Sequence, residues 1–160
     1  MLQFLRCVLR AEFAGTAYID ARSSETRLNP LGTVIAFPQG MREFIEKLEG
    51  RTKKFAVDCV PYCADLERVP GLRNTGFQLS KASGSVAANH RAMRRSRSNR
   101  EFAAKLQIVC EEADESVLWL EVADAAVSGH LKPTTGTLLA EAKELRAIFS
   151  KARSTFRGRL

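Results

Sequence analysis

Hydrophobic residues recur at steps of three and four along four stretches of the chain. An α-helix turns once every 3.6 residues, so this spacing gathers the hydrophobic side chains of each stretch on one side of a helix. The pattern predicts helices over about 41–69, 75–94, 98–127 and 136–156. Because the connections between them are short, we predict an all-α fold, an antiparallel up-down-up-down four-helix bundle.

Prolines set several of the expected helix ends. Pro61 lies inside the first helical pattern, where it removes a backbone donor and predicts a kink. Pro70 and Gly71 are expected to end this helix. Pro133 indicates a break after the third helix, so we expect the fourth helix to begin near 135–137.

Two sites have the spacing of a capping box. A Ser or Thr at the start of a helix can exchange side-chain and backbone hydrogen bonds with a Glu or Gln three residues later. Thr75 and Gln78 predict the start of the second helix in this way. Ser98 and Glu101 predict the start of the third.

The first 40 residues differ from the rest of the chain. They are rich in turn-forming residues and show no sustained periodicity, so we predict a poorly structured N-terminal extension over 1–40 and a bundle over 41–157. This extension is an irregular arm with room for a short strand or helix. Met41 opens the first helical pattern, so both Met1 and Met41 are candidates for the natural start.

The connection between the second and third helices is strongly basic. The chain carries a formal net charge of +7 and has a pI near 9.6, a balance that favours anionic partners such as RNA or DNA. Residues 90–100, which we call the arginine elbow, contain five arginines and no acid. They are Arg91, Arg94, Arg95, Arg97 and Arg100. These side chains could neutralise phosphates, or could instead pair with acids on the third helix or on another subunit.

Polar residues also line one side of the second predicted helix. Gln78, Ser85 and Asn89 are spaced by seven and four residues and therefore share a face. We interpret them as a buried hydrogen-bonded layer that fixes helix register, with a binding site as the alternative. Trp119 on the third helix is expected to be a core or subunit-interface aromatic, with a base-stacking platform as the alternative.

The acidic residues of the third helix raise the question of a metal site. Di-iron helical bundles combine inward glutamates with Glu-x-x-His motifs, and no Glu or Asp of this chain has a His three residues later. His90 and His130 belong to no recognisable catalytic constellation. We therefore expect no metal, no cofactor and no enzymatic activity. The acids are expected to face solvent or pair between subunits, and they include Glu111, Glu112, Glu115 and Glu121.

The four cysteines indicate the expected compartment. Cys7, Cys59, Cys63 and Cys110 form no Cys-x-x-Cys pair, so we expect buried, reduced thiols in a cytoplasmic protein. No apolar run approaches the roughly 20 residues that a membrane span requires. We therefore expect no membrane partner.

Motifs spread over about 41–156 carry a family resemblance. The motifs are, in chain order, Arg51 to Ala56, Gln78-Leu79, Ser85 with Asn89, Arg95 to Ser98, Glu101-Phe102, Glu112-Ala113-Asp114-Glu115 and Trp119-Leu120-Glu121. In these the chain resembles the four-helix-bundle proteins encoded in intervening sequences of bacterial large-subunit ribosomal RNA. It departs from them after Asn89, where relatives often carry an aromatic residue, Arg, Glu and Ala and this chain has His90-Arg91-Ala92-Met93.

The resemblance implies partners as well as a fold. The family is similar to the accessory protein of diversity-generating retroelements, a basic homopentamer that works with a reverse transcriptase and RNA. The resemblance therefore implies that this chain forms a homo-oligomer, a pentamer. It also implies contact with RNA or DNA and a protein partner such as a reverse transcriptase. We predict a non-enzymatic, self-associating bundle that binds nucleic acid through basic surfaces. The alternative is a protein–protein scaffold or adaptor without nucleic-acid affinity.

Overall fold

The protein is a bundle of four long helices. The computed structural model describes residues 27–28, 34–35 and 39–157. The helices are α1 (Gln39–Leu66), α2 (Arg73–Met93), α3 (Asn99–Ala126) and α4 (Leu131–Arg157). Each helix packs against the next one in the chain, and α1 also contacts α4. The predicted all-α up-down-up-down bundle is confirmed.

Two short strands precede the bundle. β1 (Arg27–Leu28) and β2 (Val34–Ile35) pair in antiparallel fashion, with Arg27 opposite Ile35. The other residues of the predicted N-terminal extension lie outside the described part of the chain. The character of that extension, and the choice between Met1 and Met41 as the natural start, stay predictions.

The core follows the stripes that the sequence predicted. Most of the buried side chains on α1, α3 and α4 are spaced by three or four residues. Among them are Leu48, Phe55, Cys59, Tyr62, Leu66, Leu106, Val109, Leu120, Leu138, Leu145 and Phe149. Burying a side chain of this size stabilises the fold by roughly 1.5–3 kcal/mol, so these stripes supply most of the driving force for packing the helices together.

The connection between α1 and α2 differs from the prediction. α1 continues through Pro61 and ends at Leu66, a turn earlier than expected. Tighter turns follow it, in which the backbone N–H of Val69 donates to the Leu66 carbonyl at 3.0 Å. Gly71 then adopts φ 85°, a left-handed conformation that favours glycine. The capping box predicted at Thr75 is wrong, since Leu72 is the N-cap and Thr75 lies buried in the first turn of α2. A kink at Pro61 stays a prediction.

The start of α3 is as predicted. Ser98 is extended, and its hydroxyl oxygen accepts a hydrogen bond from the backbone N–H of Glu101 at 3.1 Å. The Glu101 carboxylate accepts from the backbone N–H of Arg97 at 2.9 Å, one residue earlier than in a standard capping box. This hydrogen bond lowers the pKa of Glu101.

The start of α4 was predicted too late. The helix begins at Leu131, and Pro133 is its third residue rather than a break before it. Proline fits there because the first backbone N–H groups of a helix have no partner within it. Thr135, one turn on, is fully buried: its hydroxyl donates to the Leu131 carbonyl at 2.8 Å and lies 2.6 Å from the Tyr62 hydroxyl.

The cysteines that the structure describes match the prediction. Cys59, Cys63 and Cys110 are buried and form no disulfide with one another, and Cys7 lies outside the described residues. Burial raises the pKa of Cys59 to about 12 and that of Cys63 to about 11, which keeps both protonated and unreactive at neutral pH. Over the same described ranges, no helix combines the length and apolarity needed to span a membrane.

Gly76 is where α1 and α2 approach most tightly among the described glycines. A Cβ atom at this position would lie 3.0 Å from the Cys63 carbonyl oxygen and 3.3 Å from Leu66 Cβ. The obstacle is helix backbone, which cannot move aside as a flexible side chain can. Gly84, on the same helix, has nothing within 4 Å of its Cβ position and provides a matched control.

We predict opposite effects of alanine at these two glycines. Gly76→Ala should lower the free energy of unfolding by about 1 kcal/mol, since the clash outweighs the gain in helix propensity. Gly84→Ala should raise it by about 0.5–1 kcal/mol, because only the propensity changes. Urea unfolding of both variants measures this. Stabilisation by both substitutions would contradict the close approach.

Candidate functional site

The arginine elbow lies at the end of the bundle where α1 begins and α4 ends. Phe102 of α3 packs against Phe156 of α4 with ring centroids 5.3 Å apart and ring planes tilted by 44°, which places the last turns of α4 beside the elbow. Those turns carry Lys151, which is exposed, and Arg153, whose guanidinium donates to the Gln107 side chain at 3.4 Å. Basic residues from three helices therefore meet at one end of the molecule.

Glu49 of α1 holds two of the elbow arginines. Arg91 Nε donates to Glu49 Oε1 at 3.1 Å, and Arg94 Nη1 contacts Glu49 Oε2. A cleft of about 340 Å³ opens here and is also lined by Arg95. The sequence prediction named acids on α3 or on another subunit as the partners, and so missed Glu49. No local signal could reveal it, because the pairing depends on how α1 packs against α2.

The remaining elbow arginines are more open to solvent. The Arg97 side chain is 87% exposed and lies 3.6 Å from the carboxylate of Glu101, a partner on α3 as predicted. Arg95 and Arg100 are exposed and form no ion pair within the described part of the chain. An exposed ion pair contributes little energy, so these three guanidiniums remain accessible to an anion.

Arg51 forms a contrasting ion cluster between α1 and α4. Its guanidinium donates to both Glu141 oxygens, at 2.9 and 2.7 Å, and to Glu144 at 2.7 Å. The hydrogen bonds to Glu141, with that to Glu144, raise the pKa of Arg51. Here one cation meets two acids, whereas at Glu49 one acid meets two cations. The Arg51 cluster links α1 to α4. Its one positive charge is outnumbered by two acids, so it does not attract an anion.

His90 lies buried beneath the elbow. Its Nδ1 is 3.4 Å from the Thr52 hydroxyl of α1, and its ring centroid is 5.3 Å from that of Phe149 on α4. Only 2% of the residue is exposed. Burial disfavours the charged imidazolium and lowers the pKa of His90 to about 4. The sequence analysis found no role for His90, because its contacts come from two distant helices.

The predicted polar layer is only half-buried. Asn89 Nδ2 donates to the Ser85 hydroxyl and carbonyl at 3.1 Å, and Lys105 of α3 donates to Asn89 Oδ1 at 3.5 Å. Gln78 is half-buried and makes no side-chain hydrogen bond to another described residue. Ser85 and Asn89 therefore form a hydrogen-bonded pair, and Gln78 is not part of it. A role in helix register stays a prediction.

Trp119 lies at the edge of the core. It is half-buried against the core residues, and its indole N–H donates to Glu115 Oε1 at 3.0 Å. Glu111 and Glu121 are exposed, as expected, whereas Glu112 and Glu115 are half-buried. Among residues 39–157 and the two strands, no three His, Cys, Asp or Glu side chains are grouped to hold a metal ion. His130, the second histidine, is exposed as predicted.

We predict that His90 makes stability fall in acid. His90 binds a proton near pH 6.5 in the unfolded chain and only near pH 4 in the folded protein. The contribution of His90 to the free energy of unfolding is therefore complete above about pH 6.5. It is lost as the pH falls from there towards 4, by on the order of 3 kcal/mol. Urea unfolding at several pH values measures this in the wild type and in His90→Gln. The variant should lack this part of the pH dependence; equal slopes between pH 6.5 and 4 would contradict the prediction.

Comparisons with known proteins support the architecture. No protein-family model matches the chain, and no curated protein matches it either. A crystal structure of a protein of unknown function from the S23 ribosomal protein family of Bacteroides thetaiotaomicron aligns with a TM-score of 0.59 and 20% sequence identity. The alignment covers 66% of this chain and 97% of that one. The resemblance predicted from the motifs is thus confirmed at the level of the fold: the chain has the four-helix fold of an S23-family, or intervening-sequence, protein.

Proposed function

We propose that this chain is a non-enzymatic member of the intervening-sequence family that binds RNA or DNA phosphates through the arginine elbow. The observation that supports this most directly is the imbalance of charge there. Five arginines converge on this end of the bundle; Arg91 and Arg94 contact Glu49, and Arg97 contacts Glu101. The surplus positive charge faces solvent on Arg95, Arg97 and Arg100.

The chemistry of this surface fits a phosphate backbone better than a sequence-reading site. Guanidinium groups bind phosphate oxygens in a fork geometry and give affinity that falls steeply with salt. The elbow arginines lie at the junction of two helices rather than along one exposed helix that could enter a groove. We therefore propose sequence-independent contact, in which the protein recognises the charge and spacing of phosphates.

We predict that removing the exposed elbow charges abolishes most binding. The test variant carries Gln at Arg95, Arg97 and Arg100, and fluorescence anisotropy with labelled RNA and DNA across a salt series measures affinity. Losing up to three phosphate contacts should weaken binding by roughly tenfold or more at low salt and flatten the salt dependence.

The matched control removes three exposed cations away from the elbow, with Gln at Arg68, Lys132 and Lys143. Both variants lose the same net charge, so a general electrostatic effect would weaken both equally. That result would contradict a localised site. No binding by the wild type at low salt would remove the nucleic-acid function altogether.

Self-association is the second part of the proposal, and exposed apolar residues support it. Val57 and Val60 of α1 are 57% and 61% exposed, and Phe77 of α2 is 62% exposed. On α3, Leu118 and Val122 lie one turn apart and are also exposed. All five lie in the half of the bundle away from the elbow, where they leave the basic surface free.

The charges around these residues are complementary. Exposed basic residues accompany the α1–α2 patch, and exposed acids accompany the α3 patch. The basic set is Lys53, Lys54, Arg73 and Lys81, of which Lys54 pairs with Asp58. The acidic set is Glu111, Asp114 and Glu121, of which Asp114 and Glu121 pair with Arg146 and Lys143 of α4. Docking one patch onto the other of a second copy is a heterologous contact, which closes into a ring if the rotation permits. A ring of five is the number that the family resemblance implies.

We predict that each patch is needed for assembly. Phe77→Asp and Leu118→Asp should each yield monomers in sedimentation velocity, because both substitutions place a charge in an apolar contact without disturbing the core. A mixture of the two variants should form dimers, since each retains the patch that the other has lost. Dimers formed by either variant alone would contradict heterologous docking.

A scaffold without nucleic-acid affinity is the alternative function. It is favoured by the pairing of Arg91 and Arg94 with Glu49, which reduces the charge available to phosphate, and by the exposed apolar patches. Both proposals are compatible with a protein partner such as a reverse transcriptase. The salt series separates them, because a scaffold would assemble normally and bind no oligonucleotide.

A further inference from the structure

Glu112 differs from the other acids of α3. Within the described part of the chain its carboxylate makes no hydrogen bond or ion pair, and its Oε2 atom is buried. Each of the other acids on this helix accepts a hydrogen bond or forms an ion pair. They are Glu101, Glu111, Asp114, Glu115, Glu121 and Asp124. A half-buried carboxylate without a donor is unfavourable, so Glu112 lacks a cation that the single chain does not supply.

Glu112 lies on the face of α3 that is directed at α2. Lys105, two turns earlier on the same face, donates to Asn89 of α2 at 3.5 Å. Glu112 therefore lies in the groove between these two helices. Since no hydrogen bond holds its carboxylate there, the side chain can turn to the rim of the groove without losing one. Turning outward would also give the buried Oε2 atom access to a donor.

Two exposed cations of α2 also lack a partner. Arg73, Phe77 and Lys81 follow one another at steps of four residues, so they form one exposed stripe along α2. Neither Arg73 nor Lys81 forms an ion pair or a side-chain hydrogen bond within residues 39–157. Phe77 is the residue through which we propose that α2 contacts α3 of a second copy. A cation on either side of it would then lie close to that helix.

The two ends of this stripe lie among different charges. Gly76 lies beside Cys63, and α1 and α2 are antiparallel, so residues before Cys63 on α1 lie towards the Lys81 end. That end is accompanied by Lys53, which is exposed and has no ion pair in the described chain. The other end is accompanied by Glu67, an exposed acid. Positive charge is therefore concentrated at the Lys81 end.

The apolar patch of α3 has the complementary asymmetry. Glu111 and Glu112 lie on the N-terminal side of Leu118. Beyond Val122 the helix carries one acid, and that acid pairs with Lys132. Opposite charges attract and like charges repel across an interface, so the cationic end of the α2 stripe should lie against the N-terminal side of the patch.

We propose that Lys81 of a second copy supplies the ammonium group that Glu112 lacks. This inference rests on the proposed self-association and names the charge pair that orients it. When Phe77 of one copy contacts Leu118 of the other, Lys81 lies about 6 Å along α2 from Phe77, and Glu112 about 9 Å along α3 from Leu118. The flexible side chains of lysine and glutamate span the difference.

An ion pair within one chain is the competing arrangement. Lys81 and Glu112 of the same copy lie on neighbouring helices, although they form no contact in the structure. Such a pair would stabilise the bundle without a second copy. The experiments therefore have to show which copy supplies the lysine.

The first experiment exchanges the two charges. Glu112→Lys and Lys81→Glu should each weaken self-association roughly tenfold in sedimentation velocity, because each places like charges at the contact. A mixture of the two variants should form dimers, since each retains the residue that the other has lost. The double variant should assemble like the wild type. The matched control is Glu144→Lys, an exposed position on α4, which should stay within about twofold of the wild type.

Three outcomes would overturn the proposal. Normal assembly by Glu112→Lys would show that the carboxylate is not at the contact. Equal weakening by Glu144→Lys would show an effect of net charge alone. Recovery in the double variant, with no dimers in the mixture, would assign the pair to a single chain.

A measurement on the wild type covers variants that do not fold. A carbodiimide condenses a carboxylate with a lysine amine that contacts it, and a mixture of ¹⁴N- and ¹⁵N-labelled protein identifies by mass the crosslinks that join two copies. The expected product joins Lys81 of one copy to Glu112 of the other. Crosslinks between these residues only within one copy would overturn the proposal, as would their absence from the assembled protein.

The behaviour of the wild type separates this inference from the proposed self-association. If the wild type assembles and Glu112→Lys assembles equally well, the charge pair fails and self-association stands. If the wild type stays monomeric at every concentration, self-association fails and the charge pair fails with it.

Discussion

The packing of His90 against Thr52 and Phe149 fixes the end of the bundle on which the candidate site depends. This contact joins three helices, since the three residues belong to α2, α1 and α4. It sets the rotation and height of the last turn of α2 relative to α1. Arg91, the next residue, is thereby placed beside Glu49 rather than in open solvent. The surface charges are arranged by a neutral, buried histidine beneath them.

The molecule separates two kinds of surface along its length. The elbow end gathers arginines from the junction of α2 and α3, and the other half exposes Val60, Phe77 and Leu118. Apolar contacts between copies would leave the elbow uncovered, and several copies in a ring would present several elbows on one side. Weak phosphate contacts at each elbow would then act together on one strand, because linked sites bind with high effective concentration.

What could be predicted from the sequence depends on the range of the interactions involved. The core stripes and the Ser98 cap were predictable, because both follow from residues within one or two turns of each other. The start of α4 was mispredicted because Pro133 is compatible with the first turn of a helix as well as with a break. The partner of Arg94 was not predictable at all, since Glu49 is 45 residues away and reaches it only through the packing of α1 on α2.

The same turn of α1 carries both the core contact and the surface ion pair. Thr52 contacts His90 with its hydroxyl and donates to the backbone carbonyl of Glu49, one turn earlier. Arg91 follows His90 directly, so its ion pair with Glu49 is built on the same turn of α2 as the buried contact. The buried packing of His90 and the surface ion pair of Glu49 therefore depend on the same turn of α1, so a shift of that turn would disturb both.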